Sequence, residues 1–525
     1  MTLRAFLAAM LLAAAAPALA QAPGAAPAPW PPPQEFAPTP PYRQQAEARG
    51  PIVGMSVDEV VRRAMANNLD VLIERYNVEL SQQRLIGARG AYDPQFSLAS
   101  SLGTTINPLA AATGVGAIPV ERVESRAGSS SLRQSLPWGT IGTLAVAGQR
   151  VAAERPSAPA APLYTSALSA SVTQPLLRGF VNSSASRQVG ISELDTRIAR
   201  AQYRLRVTQV LQQVLNQYWE LVFAIESYEA RRQSKAVAQL QYDSTAVRVQ
   251  NGLLTPVALT AAQAEIAARE RDLLQAQVLI INAENNLKQL LAEDPSSPLW
   301  ESAIIPSDSP AAAAAPAMAL PAALALARAR RPEVEQTGFQ LSQNRLDRRF
   351  FKWETLPTVN LGATYAAVGR SGSPGFNTAV QQLWNSDFPA WNVSLAVQVP
   401  IRNRAADAQL TQARIAGDRL ATQLAKLQQA VGIEAQTAWQ VIGVQRKSLE
   451  AAQLTTRLFE QQLEAQQARY DAGFSSDFEL LRYQRDLVDA RVRELRALVD
   501  LQQGVVSLQR ATDTLLDDLK VQLPR

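Results

Sequence analysis

One hexapeptide occurs twice in this chain, roughly half the chain length apart. The first copy is LSQQRL at residues 80–85, and the second is LSQNRL at residues 341–346. Each copy ends a predicted helix, and a proline follows about ten residues later (Pro94 or Pro357), where it breaks the helix and opens a strand-like stretch. A repeat of this kind constrains the fold strongly, because each half must form the same elements in the same order.

A second pair of related segments supports the duplication. Residues 248–253 (RVQNGL) are echoed by residues 469–474 (RYDAGF), and both segments contain a glycine after a long predicted helix. The chain therefore predicts two versions of one plan: helix, strand, strand, long helix, turn and helix. We place the first repeat at residues 54–295 and the second at residues 296–525.

Segments that alternate apolar and polar residues provide the predicted strands. They lie at residues 95–102, 166–174, 358–365 and 392–398. Segments of about ten residues with period two are typical of transmembrane barrel strands, apolar toward lipid and polar toward the lumen. A soluble antiparallel sheet with one wet face has the same pattern, and the export signal described below favours the barrel. The apolar members are Phe96, Leu98, Leu102, Leu168, Ala170, Val172, Val359, Leu361, Ala363, Tyr365, Val393, Leu395 and Val397.

Four strands cannot close a barrel, because unpaired edges in lipid leave backbone groups without partners. Oligomerisation is therefore expected, and three protomers would give about twelve strands. Residues 129–151 predict a further hairpin around Pro137, Trp138 and Gly139. This hairpin either joins the barrel or folds over its outer mouth.

The predicted helices are long. Residues 184–250 contain no proline and a single glycine, with apolar residues at three- and four-residue steps, and residues 405–471 repeat the pattern. Each would run roughly 100 Å. A generic antiparallel coiled coil has similar helices but does not explain the strands between them. Shorter partner helices are predicted at residues 57–89, 256–292, 321–351 and 478–517.

The N-terminus predicts export. Arg4, an apolar run and Ala18-Leu19-Ala20 form a secretory signal over residues 1–20, since the run is too short for a membrane anchor. Residues 21–53 predict a linker rich in proline and alanine, in extended conformation.

The composition narrows the possible functions. The sequence contains 0 Cys and 0 His, which excludes disulfides, His or Cys metal sites, and Ser-His or Cys-His catalysis. A formal charge of +5, with basic residues scattered among acids, does not indicate a nucleic-acid interface.

The helix ends and the strand-to-helix junctions carry a family resemblance. Residues 174–179 (QPLLRG), their weaker echo at 399–401 (VPI), the RYDAG tip at 469–473 and the duplicated plan are similar to the TolC-type outer-membrane efflux family. The resemblance implies a mainly α-helical protomer with a small β-barrel contribution of four or more transmembrane strands. Its long helical hairpins would form a periplasmic tunnel, and trimerisation would close the barrel.

The same resemblance implies partners and a location. A homotrimer in the outer membrane of a Gram-negative cell would receive cargo from an inner-membrane pump through a periplasmic adaptor, with no cofactor and no nucleic acid. The structural alternative is a periplasmic coiled-coil adaptor or scaffold without a pore, which would have one hairpin and β-rich globular domains. For an enzyme, the sequence offers no nucleophile with its base, no Walker-type glycine loop and no metal cluster.

The glycine tips are the implied adaptor-docking sites. Thr255 with Pro256, and Ser476 with Glu479, are helix-start signals that make both turns sharp. The glycines also suit the positive φ of a tight turn, and large apolar residues at a tip have no core to fill. The docking residues carried over are Gly252, Leu253, Leu254, Thr255, Pro256, Gly473, Phe474, Ser475 and Ser476.

A periplasmic gate is implied beside the second tip, at Tyr470, Asp477 and Glu479. Glu479 lies where some relatives carry an acidic ring, which in three copies would favour cations. Glu479 is also the acidic residue of a capping box that begins at Ser476, and the same carboxylate could serve both roles. Arg482 stands where the best-known member has a second acid, and Ala258 where that pattern has another.

Overall fold

The computed structural model describes residues 34–35, 40–108, 120–155, 158–292, 294–310, 318–372, 375–472 and 474–523. The predicted signal at residues 1–20 therefore lies outside the described residues. The strands are β1 (Gln34–Glu35), β2 (Ile52–Met55), β3 (Gln95–Pro108), β4 (Val120–Ser135), β5 (Ile141–Arg155), β6 (Ala158–Pro175), β7 (Ala303–Pro306), β8 (Asp308–Ser309), β9 (Thr358–Ser371) and β10 (Pro389–Gln398).

The helices follow the predicted plan. They are α1 (Pro40–Arg49), α2 (Val57–Asn67), α3 (Leu69–Arg89), α4 (Ser184–Gln250), α5 (Pro256–Leu291), α6 (Leu320–Arg330), α7 (Pro332–Glu354), α8 (Phe376–Asn385), α9 (Arg404–Asp471), α10 (Asp477–Ala511) and α11 (Leu515–Asp518). Helices α4 and α9 have 67 and 68 residues and confirm the two predicted long helices. Within the described residues, no helix combines the length and apolar character needed to cross a bilayer.

Three predicted partner helices are wrong as single helices. The first breaks at Asn68, whose Oδ1 accepts hydrogen bonds from the N–H groups of Asp70 and Val71 while its Nδ2 donates to the Leu290 carbonyl. Another breaks between α6 and α7, where Pro332 occupies the first turn of α7. The last ends at Ala511, before the short helix α11.

Six strands form one antiparallel sheet in the order β10-β9-β6-β5-β4-β3. The predicted four strands are present, and the open question about residues 129–151 is answered: β4 and β5 form a hairpin inside the sheet, between β3 and β6. The expectation of at least four strands per protomer is confirmed.

The two faces of the sheet differ in chemistry. Directly paired residues lie on the same face of a sheet, and neighbours along a strand lie on opposite faces. One row of paired residues crosses all six strands and is apolar: Phe96, Leu132, Leu144, Ala170, Tyr365 and Trp391. The adjacent row, on the opposite face, is polar throughout: Gln95, Arg133, Thr143, Ser171, Thr364 and Asn392.

Helix α8 connects β9 to β10 and packs on the apolar face. The hydroxyl of Ser166, two residues from Leu168, donates to the Ala379 carbonyl of α8 at 2.6 Å. Ser166 pairs with Gly148 on one side and Gly369 on the other. This row of small residues gives the helix room to approach the backbone of the sheet.

The largest buried core surrounds the middle of α4. It contains α4 side chains from Tyr203 to Tyr228, the C-terminal part of α5, and residues of α1, α2, β2 and β7. We call this region the waist. Its polar centre is the buried Asp308 carboxylate, which accepts hydrogen bonds from the Tyr218 hydroxyl at 2.9 Å and the Val57 N–H at 2.6 Å.

The waist corrects the predicted linker at residues 21–53. Within the described part of that range, residues 40–49 form α1, and Tyr42 is only 1% exposed. Strand β2 pairs in parallel with β7, from the other half of the chain. Proline content predicted an extended tether, but long-range burial and strand pairing override it from residue 40 onward.

Candidate functional site: the hairpin tips

The first tip joins α4 to α5. Gly252 has φ +73°, a conformation that a side chain disfavours. The N–H of Gly252 donates to the Val249 carbonyl at 3.0 Å, and that of Leu253 donates to the Arg248 carbonyl at 2.8 Å. Pro256 then begins α5, and Thr255 occupies the N-cap position without a side-chain cap hydrogen bond. The glycine and the proline thus make a tight turn, as the sequence predicts.

The second tip joins α9 to α10. The N–H of Phe474 donates to the Arg469 carbonyl at 2.8 Å, the counterpart of the Leu253 bond in the first tip. The Ser476 hydroxyl caps α10 by accepting from the Glu479 N–H at 3.3 Å. Gly473 and the side chain of Asp477 lie outside the described residues.

The apolar tip residues differ in exposure. Leu253 is 72% exposed and Phe474 is 78% exposed, whereas Leu254 is half-buried. Each tip therefore presents a large apolar side chain of its turn to solvent. Leu254 instead turns toward a cavity between the two hairpins.

The carboxylate of Glu479 is held inside the second tip. It accepts hydrogen bonds from Gln466 Nε2 at 3.1 Å and from the Ser475 hydroxyl at 3.0 Å. Gln466 also donates to Ser475. Glu479 thus contributes its N–H to the predicted cap, while its side chain binds residues of the α9 end and the turn.

Tyr470 connects the two hairpins. Its hydroxyl accepts a hydrogen bond from Gln241 Nε2 at 3.2 Å, and the Arg248 guanidinium lies 5.1 Å from the centroid of its ring. Both partners belong to α4, so this residue fixes the end of α9 against the end of α4. A guanidinium over an aromatic ring adds an electrostatic attraction.

Four predicted residues line one cavity between the tips, of about 540 Å³: Leu254, Tyr470, Ser475 and Ser476. We call it the tip cavity. Its walls also include Arg248, Arg482 and Arg485, with Glu265 as the acid among its described lining residues. Glu265 is paired with Arg269. The described lining of the tip cavity is therefore mainly basic.

The sequence pattern does not predict the roles of Gln241, Gln466 and Arg485. Arg485 could have been found, because it lies three residues after Arg482 and so shares its helix face. The two glutamines have no local signal, since each acts on a residue of a different element or on a turn. The assembled site offers apolar contacts and cations, which suits binding of another macromolecule.

Comparison with known proteins identifies the second half of the chain. Residues 323–514 match the family model described as outer membrane efflux protein. Over these residues the chain is similar to the outer membrane efflux protein family. The matched residues run from α6 to the end of α10 and so include the second tip. No curated protein sequence matches the chain.

Solved channels have the same fold over most of their length. The CusC channel is 17% identical with a TM-score of 0.61, covering 87% of this chain and 91% of its own. The Vibrio cholerae outer membrane protein VceC is 16% identical with a TM-score of 0.60, covering 92% and 99%. The Campylobacter jejuni CmeC channel is 15% identical with a TM-score of 0.60, covering 92% and 89%. These similarities extend the efflux-protein fold to both repeats.

Proposed function

We propose that this protein is the outer-membrane channel of a tripartite efflux or type I secretion system. It acts as a passive conduit from the periplasm and an inner-membrane pump to the outside. The observation that carries the proposal is the six-stranded sheet, apolar on one face and polar on the other, joined to two helices that are each about 100 Å long. The domain family supports the same function. A periplasmic adaptor without a pore does not account for this sheet.

A trimer is the proposed assembly. The edge strands β3 and β10 are exposed along their whole length, and an exposed edge is a template for pairing with another chain. Closing three sheets edge to edge would give three times six, or eighteen, strands. Barrels of 16–18 strands enclose an aqueous channel. The polar face would then line the lumen and the apolar face would contact lipid.

The geometry of β9 identifies which groups of β10 are free to pair. Successive residues of an antiparallel strand direct their backbone groups to opposite neighbours. Val368 donates to the Phe388 carbonyl on the β10 side at 3.2 Å, whereas the Val359 carbonyl accepts from Leu176 on the β6 side at 2.7 Å. The even-numbered residues of β9 and β10 therefore direct their backbone N–H and C=O groups toward each other. Odd-numbered residues of β10, including Leu395, direct their N–H groups to the free edge.

The substitution Leu395→Pro tests this assembly. Proline removes one edge donor without removing a donor to β9, so the trimer fraction in detergent should fall about tenfold or more. Size-exclusion chromatography with light scattering measures it, and planar bilayers measure conductance. Leu395→Ala keeps the N–H group and should remain trimeric. A proline variant that stays a conducting trimer would remove edge-to-edge closure from the proposal.

The tips are the proposed docking site for the periplasmic adaptor. The exposed Leu253 and Phe474, the turn residues around them and the tip cavity support this assignment. The change Leu253→Glu or Phe474→Glu places a charge in an apolar contact, so cargo export by cells should fall about tenfold at unchanged protein level. Leu240→Glu, at another exposed leucine of α4, serves as the control. Normal export by both tip variants would disprove docking here.

The proposed gate lies at the same end, at Tyr470, Asp477 and Glu479. The contacts from Gln241 and Arg248 to Tyr470 tie the two hairpins together. Outward movement of one hairpin would have to break these contacts. We therefore assign Tyr470 the main closing role and Glu479 the role of holding the turn through Gln466 and Ser475.

The helices lie in the periplasm in this arrangement, and the sheet lies in the outer membrane of a Gram-negative cell.

A further inference from the structure

A stripe of four cations runs along one face of α7, at residues spaced by three and four positions. These are Arg345, Arg348, Arg349 and Lys352, and all four are exposed. Positions at this spacing lie on one side of a helix. The facing helix α9 adds Arg414, so five positive charges surround one concave surface.

These cations line a recess of about 830 Å³, which we call the cationic recess. Val181, Trp353, Leu356 and Leu410 add apolar groups to its wall. None of the described lining residues is acidic. Like charges this close repel one another, so an anionic occupant would stabilise the arrangement.

The nearest acids of α7 are already engaged elsewhere. Asp347 pairs with Arg187 at 2.7 Å, and Glu354 pairs with Arg178 at 2.5 Å. Arg178 lies just after β6, and Arg187 lies in the first turn of α4. These acids therefore bind α7 to its neighbour, and neither of them lines the recess.

The recess lies directly below the sheet. Leu356 is two residues before the start of β9, and Val181 is six residues after the end of β6. Apolar side chains close to the same level are exposed, with Val399 at 61% and Ile401 at 99%. Apolar groups thus lie next to the sheet, and cations lie immediately beyond them along the helix.

The first repeat has no equivalent stripe. Arg84 matches Arg345 in the repeated hexapeptide, but the next three matching positions are Gly87, Ala88 and Ala91. A stripe needed only for solubility or for the shared fold would be expected in both copies. Its restriction to one repeat indicates a ligand rather than a requirement of the fold.

We propose that the cationic recess binds the phosphate headgroup of an anionic phospholipid in the periplasm-facing leaflet. The order of apolar groups, then cations, matches the border of a leaflet, where acyl chains give way to phosphates. Guanidinium groups suit phosphate because they donate several hydrogen bonds in a fixed plane. The inference rests on the proposed function for the position of the sheet in a membrane.

Lipid binding to the purified full-length trimer tests the proposal. Native mass spectrometry with short-chain phosphatidylglycerol and phosphatidylcholine should give a preference of about tenfold or more for the anionic lipid. The variant with Arg345→Gln, Arg348→Gln, Arg349→Gln and Lys352→Gln should bind both lipids alike. If it does not fold, Arg349→Gln and Lys352→Gln alone should each lower the preference about threefold.

A matched control removes four exposed cations of α9 that do not line the recess: Lys426→Gln, Arg446→Gln, Lys447→Gln and Arg457→Gln. This variant should keep the lipid preference. An unchanged preference in the α7 variants overturns the proposal, as does displacement of the lipid by millimolar inorganic phosphate, which would indicate a soluble anion. Bilayer conductance of the same wild-type sample tests the channel function separately, because a non-conducting protein can still discriminate between headgroups.

Discussion

The two proposed repeats differ most in how they connect their two sheet strands. In the first repeat, β3 and β6 are joined by the hairpin β4-β5, which enters the sheet between them. In the second repeat, β9 and β10 are adjacent, and the connecting helix α8 lies on the apolar face instead. The connection between the two sheet strands thus extends the sheet in the first repeat and covers the sheet in the second.

The inserted hairpin keeps the alternation of apolar and polar faces across the sheet. The inserted hairpin places Leu132 and Leu144 in the apolar row between Phe96 and Ala170. Two added strands also preserve the antiparallel direction of β3 relative to β6. The hairpin therefore widens the sheet by one third of its six strands without disturbing either face.

Removing the hairpin should have the largest effect on the channel. Phe96 is level with Ala170 across the sheet, and Pro108 and Ala158 lie at equal distances along β3 and β6 from that row. A short glycine turn in place of residues 109–157 should therefore let β3 pair directly with β6. The trimer would contain about twelve strands and a barrel about one third narrower.

The narrowing can be measured in planar bilayers by adding polymers of increasing size and finding the size at which they no longer enter the channel. Electron microscopy of the trimer counts the strands independently. A deletion variant with an unchanged exclusion limit and strand count would mean that the hairpin does not belong to the barrel wall. The comparison between the repeats would then reduce to two different surface connections.

The seat of α8 should give an intermediate effect. A Cβ atom added to Gly369 would lie 1.7 Å from the Ala379 carbonyl oxygen, so Gly369→Ala must displace the helix. The expected loss of stability is about 1–3 kcal/mol. Gly142→Ala in β5 is the matched control, since nothing lies within 4 Å of its added Cβ. The denaturation midpoints of the two variants are compared in detergent. Equal midpoints would contradict the packing of α8 on the sheet.

A pH dependence of stability is also expected where the two repeats meet, at Asp513. Burial raises the pKa of Asp513 from its ordinary value of 3.8 to about 6, although the positive charges of Arg204 and Arg331 oppose the shift. The folded state then binds more protons than the unfolded state between these values, so this group lowers stability as pH rises toward about 6. We expect a contribution on the order of 2 kcal/mol across that window.

Asp513→Asn should remove this contribution while keeping the left-handed backbone, with φ 56°, that asparagine tolerates. Relative to wild type, the variant should gain stability between pH 4 and pH 7. Chemical denaturation at both pH values measures the difference. A difference that does not change with pH would show that Asp513 is equally protonated in both states.

The sequence predicted elements whose signals are local. The positions of proline and glycine predict that α5 starts at Pro256 and that the tip lies at Gly252. The alternation of apolar and polar residues predicts the four strands. The tip residues Leu253 and Phe474 were predicted as exposed because an apolar side chain at a hairpin tip has no core to enter. Their exposure in the structure agrees with this. Their role in docking stays a prediction.

Elements fixed by distant contacts could not be predicted in the same way. Asn68 interrupts a helix because its side chain binds both the next turn and the Leu290 carbonyl, more than 200 residues away. Tyr42 is buried against Tyr228, with ring centroids 6.0 Å apart, although its own segment is rich in proline. The break at Pro332 does have a local signal, because proline at this position favours the start of a new helix.

The waist has a mechanical consequence for the tips. Ile225 is fully buried in the core, and α4 continues for 25 further residues to Gln250, a lever arm of about 38 Å. A rotation of about 5° around this pivot moves the tip by about 3 Å, while atoms near Tyr218 shift by far less. A partner that binds Leu253 and Phe474 can thus move the hairpins apart far enough to break the hydrogen bonds between them. The packing around Ile225 remains intact during this movement.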